Sequence, residues 1–367
     1  MEIREISFYR KFKCLAGDCP KTCCHGWVIP LSDDDLSRFF AEKGVLGLSL
    51  YLSESGSEPS VFNRFSGTCR FRTKKGLCSL QLKKGHAFIP EVCRDYPRFF
   101  RNYRLFEERL IDLSCIEGAK LFLDDPDRLS FDVYDGEAES GACITNDDAG
   151  FLKELEASRK EMLYVLKKTV SFSGLSRVLN AGLCYMDEAE KSFLEGRTDF
   201  FDRMSFETFL GQFDGFPLKT TVFPIDPLFF KGFIRSGLLS PALFYTSPDL
   251  YGLVKLYLVT EKRELKRPED WYCLTENYFL ENPEQSVKYS AYFSYYILGY
   301  YLRSYEDYSF RKNYAMGLLH LNMILLFDML YKRKHGSLDR EAQAMIISSY
   351  NKKAFYNEGV KKKMYEV

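Results

Sequence analysis

Cysteine residues are concentrated in the first third of this 367-residue chain. Eight of the eleven cysteines lie between residues 14 and 115. Thiolates placed this closely along a chain are soft ligands that suit zinc or an iron–sulfur cluster. We therefore predict a metal centre with ligands drawn from Cys14, Cys19, Cys23, Cys24, Cys69, Cys78, Cys93 and Cys115.

The spacing of these cysteines leaves the metal and the grouping of its ligands open. The first group reads C-x4-C-x3-C-C from Cys14, the second reads C-x8-C-x14-C from Cys69, and Cys115 follows. Neighbouring Cys23 and Cys24 project differently, so they need not bind the same metal atom. A set of four cysteines holds tetrahedral zinc or a cubane cluster equally well.

Two histidines lie among the cysteines. His25 and His86 either ligate the metal, orient its ligands or occupy the surface.

The cysteines themselves have alternative roles. The segment Met1–Phe12 has no apolar run of the kind found in a secretory signal, which predicts a cytoplasmic protein. Stable disulfides are rare there, so a disulfide framework is disfavoured. Eight unrelated core cysteines in so short a window are a further alternative.

Bulk composition argues against several classes of partner. The chain is 46% apolar and 28% charged, with 51 basic and 51 acidic residues. This balance argues against nucleic-acid or membrane-surface binding driven by net charge. A membrane helix needs about 18 consecutive apolar residues. The nearest candidate, Gly317–Tyr331, is interrupted by His320, Asn322 and Asp328.

The pattern along the chain predicts a mainly α fold. We expect a loop-rich, cysteine-cluster metal-binding domain over residues 1–130, with a short helix at Asp33–Glu42 capped by Ser32. An acidic, Gly- and Ser-containing linker is predicted at 131–148, and an α-helical domain at 149–367. Prolines predict a loop at 211–228. Helical spacing of apolar residues follows 148 and recurs near 173–193, 249–263, 269–281, 285–304, 307–333 and 339–350.

The residues around the cysteines resemble a known family. The run FKCLAGDCPKTCCHGW, followed by CRF, GLCSLQ, IPEVCRDYPRFF and LIDLSC, is similar to the flagellin lysine-N-methylase family. That family belongs to a broader group of cysteine-cluster proteins associated with zinc or iron. The similarity spans at least residues 8–120, and LTENYFLEN at 274–282 resembles an Asn-Tyr-containing helix of the family.

The resemblance implies a cytoplasmic enzyme that methylates lysine ε-amines of flagellin. It implies S-adenosylmethionine as the methyl donor and an associated iron–sulfur cluster, expected to be 4Fe-4S, with zinc as the alternative. The eight cysteines match those of the family by position. A non-enzymatic zinc- or iron-binding interaction or electron-transfer module is the alternative function.

No sequence motif locates a site for the methyl donor. The radical spacing C-x3-C-x2-C is absent, and the Gly-containing stretch Ser173–Gly182 lies in helical surroundings unlike a dinucleotide-binding turn. The aromatic run Tyr289–Tyr301 is one candidate pocket, because tyrosine faces attract a sulfonium or ammonium group. Tyr292 and Tyr296 are its candidate cofactor-binding residues, and a buried core helix is the alternative.

Two further sets of residues have candidate roles. Asn277 and Tyr278 are candidate catalytic residues because the resemblance reaches them, with core packing as the alternative. Arg94 is a candidate cofactor-binding residue and could neutralise a thiolate cluster. Arg94 also begins a basic stretch that could bind a donor carboxylate or an acidic partner. The alternative is a solvated face formed with Glu107 and Glu108. The stretch comprises Arg94, Arg98, Arg101, Arg104 and Arg109.

Overall fold

A computed structural model describes residues 1–26, 29–51, 68–139, 143–146, 148–213, 247–263 and 267–354. Over these residues the protein is mainly helical, with a small four-stranded sheet, as the sequence predicts for the fold class. The strands are β1 (Glu2–Ile6), β2 (Arg98–Asn102), β3 (Phe106–Ile111) and β4 (Phe131–Asp135). The helices are α1 (Asp33–Ala41), α2 (Gly44–Tyr51), α3 (Ser79–Lys84), α4 (Glu91–Asp95), α5 (Ile116–Asp124), α6 (Ala149–Lys167), α7 (Phe172–Leu194), α8 (Phe200–Arg203), α9 (Phe206–Gln212), α10 (Pro248–Arg263), α11 (Pro268–Glu281), α12 (Gln285–Tyr300), α13 (Ser304–Asp307), α14 (Phe310–His335) and α15 (Arg340–Ala354).

The sheet has the order β2-β3-β1-β4. Strand β1 runs parallel to β3, with Glu2 opposite Phe106, and antiparallel to β4, with Ile6 opposite Phe131. Strands β2 and β3 are antiparallel. The first residues of the chain therefore lie at the centre of a sheet whose other strands come from residues 98–135.

This sheet corrects two predictions. The first 130 residues contain paired strands where the sequence analysis predicts loops and short helices. The predicted linker at 131–148 begins with β4, which pairs along the whole of β1. The alternation of charged and apolar residues in Glu2–Ile6 is a strand signal, but its hydrogen-bonding partners are about a hundred residues away and local patterning does not identify them.

The helix predictions are largely confirmed. Ser32 caps α1: its side chain accepts a hydrogen bond from the backbone N–H of Asp35, and Asp33, Asp34 and Asp35 occupy the first turn. The six later predicted helices correspond to α7, α10, α11, α12, α14 and α15, with short helical turns continuing α12 to Asp307. Most of the predicted loop at 211–228 lies outside the described residues.

Two hydrophobic cores hold the fold together. The main core extends from Ile6 to Ala354 and is built around α12 and α14. The second core is small and comprises Ile29, Phe39, Leu50, Cys69, Phe71, Leu80 and Ile89. Among the described residues, α14 alone has the length and apolar composition of a membrane span, and 89% of its apolar window is buried inside the protein.

The last described helix, α15, returns to the first segment of the chain. It packs along α5, and Arg340 at its start forms an ion pair with Asp124 at the end of α5, at 2.5 Å. Its other end lies against the loop that carries Cys19, Cys23 and Cys24. Residues more than 300 positions apart thus meet beside the predicted metal ligands.

Candidate metal centre

All eight predicted cysteine ligands line one cavity of about 320 Å³. His86, Arg94 and Arg98 also line it, whereas His25 is hydrogen-bonded through Nδ1 to the Thr68 hydroxyl at 2.7 Å. All eleven cysteines fall within the described residues, and none forms a disulfide. The fold therefore brings together thiols that are up to a hundred residues apart and leaves them reduced.

The loop with Cys14 and Cys19 is held against the loop that leads to Cys78. A 3-10 turn at Ala16–Asp18 separates the two cysteines, and the Ala16 backbone N–H lies 3.4 Å from the Cys14 Sγ. A Cβ on Gly17 would lie 3.0 Å from the Lys75 carbonyl oxygen. Gly76 has φ +78°, a conformation that favours glycine. These glycines allow close contact between the two loops.

The double cysteine is joined to the second group through backbone bonds. The Cys69 N–H donates to the Cys24 carbonyl oxygen at 2.8 Å. A short bridge pairs Arg72 with Cys78, and the Ser79 N–H donates to the Phe71 carbonyl at 2.7 Å. Cys24, Cys69 and Cys78 therefore occupy neighbouring walls of the cavity.

Helix starts position two of the thiols. Cys78 is the N-cap residue of α3 and Cys115 is the N-cap residue of α5, while Cys93 lies within α4. The Cys115 thiol accepts backbone hydrogen bonds from Glu117 and Gly118 in the first turn of α5. Backbone N–H groups of this kind stabilise a thiolate, and hydrogen bonds to sulfur are a regular part of metal–thiolate sites.

Burial favours the protonated form of several of these thiols. Burial raises the pKa of Cys69 and of Cys115 to about 12, and it also raises the pKa of Cys93. The hydrogen bond with the neighbouring Cys23 thiol lowers the pKa of Cys24. Binding of a metal at these thiols would displace their protons, because the ligand is the thiolate.

Two half-buried lysines of α15 supply positive charge beside the double cysteine. Lys352 Nζ donates to the Thr22 carbonyl oxygen at 3.0 Å, and Lys353 Nζ donates to the Gly26 carbonyl oxygen at 2.8 Å. Burial lowers the pKa of Lys352 to about 8, and the nearby thiols of Cys23 and Cys24 act in the opposite direction. These lysines are not predictable from the sequence, because no local pattern in α15 indicates contact with residues 22–26.

The Lys352 ammonium group is expected to support metal binding. Lys352→Met removes the half-buried charge beside Cys23 and Cys24, and loss of such a partner lowers metal affinity about 10–100-fold. Competition with a chelator measures the affinity. Lys334→Met, at an exposed position of α14, is the matched control and should leave it unchanged. Equal affinity in the two variants would contradict a role for Lys352.

The thiols surround the cavity without forming a tight coordination sphere. Over the described part of the chain, no three His, Cys, Asp or Glu side chains are close enough together to hold a single metal ion. Zinc–thiolate bonds are about 2.3 Å long, so a lone zinc ion would require the cavity walls to draw inward.

The two candidate tyrosines of the aromatic run on α12 are packed in the core. Tyr292 donates to the Asn351 Oδ1 at 3.0 Å, and Tyr296 donates to the Asn313 carbonyl oxygen at 2.9 Å. Both side chains are buried. This packing supports the alternative of a buried core helix and argues against a donor pocket formed by these two tyrosines.

The candidate catalytic pair on α11 is divided between surface and interior. Asn277 is exposed, whereas Tyr278 is buried. The Tyr278 hydroxyl lies 3.1 Å from that of Tyr289, which donates to Asp328 at 2.8 Å. Tyr278 thus belongs to a buried hydrogen-bonded network away from the cysteines lining the cavity.

Asp328 makes this network sensitive to pH. Burial raises its pKa to about 7, although hydrogen bonds from Gln343 and Tyr289 favour the carboxylate. Between about pH 4 and pH 7 the folded protein retains a proton that the unfolded chain loses, so stability falls as the pH rises through this range. Above the folded pKa the cost is constant.

Asp328→Asn is expected to remove this dependence. Relative to the wild type, the variant should gain about 3 kcal/mol between pH 5 and pH 8, because two pKa units correspond to roughly that energy. Urea unfolding at both pH values measures the change. The exposed substitution Glu188→Gln is the control. An equal stability difference at the two pH values would show that Asp328 does not titrate in this range.

The basic stretch after Cys93 does not form one surface. Arg98 lies over the rings of Tyr9 and Phe12, 5.3 and 5.2 Å from their centroids. Arg109 is buried and donates to Glu107 at 2.9 Å. Glu107 and Glu108 are themselves fully buried. The alternative of a solvated face with these glutamates is therefore wrong, and Arg109 is unavailable to a donor or partner.

Comparison with known proteins identifies no relative. The chain was compared with models of protein families, with curated proteins and with solved structures, and none of the three comparisons gave a match.

Proposed function

We propose that the cysteine-lined cavity binds an iron–sulfur cluster and that the protein is an S-adenosylmethionine-dependent protein-lysine N-methyltransferase acting on flagellin in the cytoplasm. The observation that carries the first part is the placement of all eight thiols around one cavity. The second part depends on the resemblance of residues 8–120 and 274–282 to the flagellin methylase family.

The residues around the cavity fit a thiolate-bound cluster. Backbone N–H groups reach Cys14, Cys69 and Cys115, which would stabilise their thiolates. The positive charge of Lys352 would offset part of the negative charge of such a cluster. The cavity also has the width for a group larger than one ion. Zinc, bound by four of the same thiolates, is the alternative metal.

Methyl transfer needs a donor and a deprotonated lysine held in line. A cluster would supply structural support or an electrophilic centre near the donor. Arg94 lines the cavity beside Cys93, and a guanidinium group there is suited to a carboxylate such as that of the methyl donor. Asn277 is exposed on α11 and is therefore accessible to a protein substrate.

Anaerobic purification tests the metal assignment. We expect a brown protein that absorbs at about 400 nm and contains stoichiometric iron and sulfide. A colourless protein with bound zinc would contradict the iron–sulfur centre. Protein without either metal would contradict metal binding altogether.

Lysine methylation tests the enzymatic assignment. Deletion of the gene should abolish methylation of flagellin lysines, measured by mass spectrometry. Unchanged methylation would overturn the assignment as a flagellin methyltransferase.

A donor-binding titration adds a test of one residue. Arg94→Met should weaken binding of S-adenosylmethionine. The control Arg104→Met, at an exposed position in the turn between β2 and β3, should leave binding unchanged.

A non-enzymatic metal-binding module is the second candidate function. The core packing of Tyr292 and Tyr296 favours this module, because the sequence predicts these two tyrosines as donor-binding residues. A metal-loaded protein that neither binds S-adenosylmethionine nor methylates flagellin would establish this alternative.

A further inference from the structure

The eight thiols of the cavity belong to two different parts of the fold. Cys24, Cys69, Cys78 and Cys93 pack on the second core. Cys19 and Cys115 instead pack on the main core, and Cys14 is exposed two residues after Phe12, which is buried in that core. The cavity therefore lies where the two cores meet, and each core contributes its own thiols.

Backbone contacts follow the same division. The Cys69 N–H donates to the Cys24 carbonyl oxygen at 2.8 Å, and a short bridge pairs Arg72 with Cys78. The Cys19 N–H donates to the Ala16 carbonyl oxygen at 3.3 Å, and the Ala16 N–H lies 3.4 Å from the Cys14 Sγ. Together with the packing on the two cores, these contacts separate a set of four thiols from a set of three.

Cys23 differs from the other thiols of the second core in its contacts. It packs on that core, and its thiol is hydrogen-bonded to the thiol of the adjacent Cys24. A thiol in this position supports a neighbouring ligand and need not be a ligand itself.

We propose that the cavity holds two metal centres: a closed centre ligated by Cys24, Cys69, Cys78 and Cys93, and an open centre ligated by Cys14, Cys19 and Cys115. This inference depends on the proposed metal-binding function and adds to it the number of centres and their ligands. Four thiolates complete a tetrahedral or cubane site, whereas three leave one coordination position available. Each ligating thiol loses its proton when it binds.

The two sets also differ in access to solvent. Cys69 is buried, and the other members of the closed set are half-buried. Cys14 in the open set is exposed. The open centre is therefore the one that an exogenous small ligand or a chelator can reach, and the closed centre is the one that stabilises the fold.

Metal analysis of paired variants tests this division. The full-length chain is reconstituted anaerobically with ferrous iron and sulfide, and iron and sulfide per chain are then measured. Cys14→Ser/Cys115→Ser and Cys78→Ser/Cys93→Ser should each lose the content of one centre and retain the other. Cys23→Ser should retain both. If the Cys78/Cys93 variant does not fold, Cys14→Ser alone, at an exposed position, should still lose the open centre with an unchanged circular dichroism spectrum.

Chelator kinetics give a second readout. Bathophenanthroline disulfonate should remove iron from the wild type in a fast and a slow phase, and the fast phase should be missing in Cys14→Ser/Cys115→Ser. Loss of all iron in the Cys14→Ser variant, or of one centre in Cys23→Ser, would show a single shared site and overturn the division while leaving metal binding intact. A wild type that takes up neither iron nor zinc would overturn both proposals.

Discussion

Substitution of Cys23 and Cys24 by serine is expected to remove bound metal and to open the first segment of the protein. The two residues connect the loop of Cys14 and Cys19 to the second core, and Cys24 accepts the Cys69 N–H through its carbonyl. Binding at structural thiolate sites contributes on the order of 10 kcal/mol to folding. A second core of seven buried side chains is too small to compensate for that loss.

Metal content and limited proteolysis measure this effect. The double variant should lose at least half of its metal and become cleavable within residues 14–95, while the helices after residue 149 stay protected. Cys184→Ser/Cys273→Ser is the matched control, because both cysteines lie away from the cavity. Wild-type metal content in the Cys23/Cys24 variant would contradict the ligand assignment.

Arg159→Met is expected to destabilise the fold by about 3–5 kcal/mol, because it leaves a buried carboxylate without its main partner. Arg159 is 3% exposed and donates to the Glu108 carboxylate and to the Leu298 carbonyl, each at 3.1 Å. Arg4 approaches the same carboxylate only to 3.6 Å. This contact joins β3 to α6 and α12, so its loss affects the attachment of the sheet to the helices.

Urea unfolding measures the change. Arg197→Met is the matched control: Arg197 pairs with Glu195 at the surface, where both side chains are more than half exposed, and its loss should cost no more than about 0.5 kcal/mol. Arg159→Met combined with Glu108→Leu should recover most of the stability, because a buried ion pair is replaceable by apolar side chains. A double variant as unstable as the single one would show that the charge is not the cause.

The sequence predicts the helices well because their signals are local. The apolar spacing of α7 and the Ser32 cap with its three acids each lie within a few turns, so they identify elements without knowledge of the fold. The sheet is not predicted, because the signals that define it are not local. Its central strand, β1, pairs with residues that follow it by about a hundred positions, and Glu107 and Glu108 of β3 are charged residues at fully buried positions.

The cysteines of the site are identifiable from the sequence, but their arrangement is not. Residue type and spacing alone predict ligands, because eight thiols in so short a segment are unusual. The division between two cores depends on packing, which spacing does not encode. The contact of Lys352 with Thr22 depends on the path of the whole chain. The aromatic run at Tyr289–Tyr301 illustrates the reverse error, since a tyrosine-rich helix serves core packing as readily as ligand binding.

The return of α15 to the beginning of the chain has a consequence for biosynthesis. Lys352 and Lys353 reach Thr22 and Gly26, and Lys21 contacts Ser349 at 2.6 Å. During translation, the cysteine segment emerges long before the helix that covers one side of it. Stable insertion of the proposed metal should therefore follow release from the ribosome, and nascent chains truncated before residue 340 should carry a labile, solvent-accessible thiol segment.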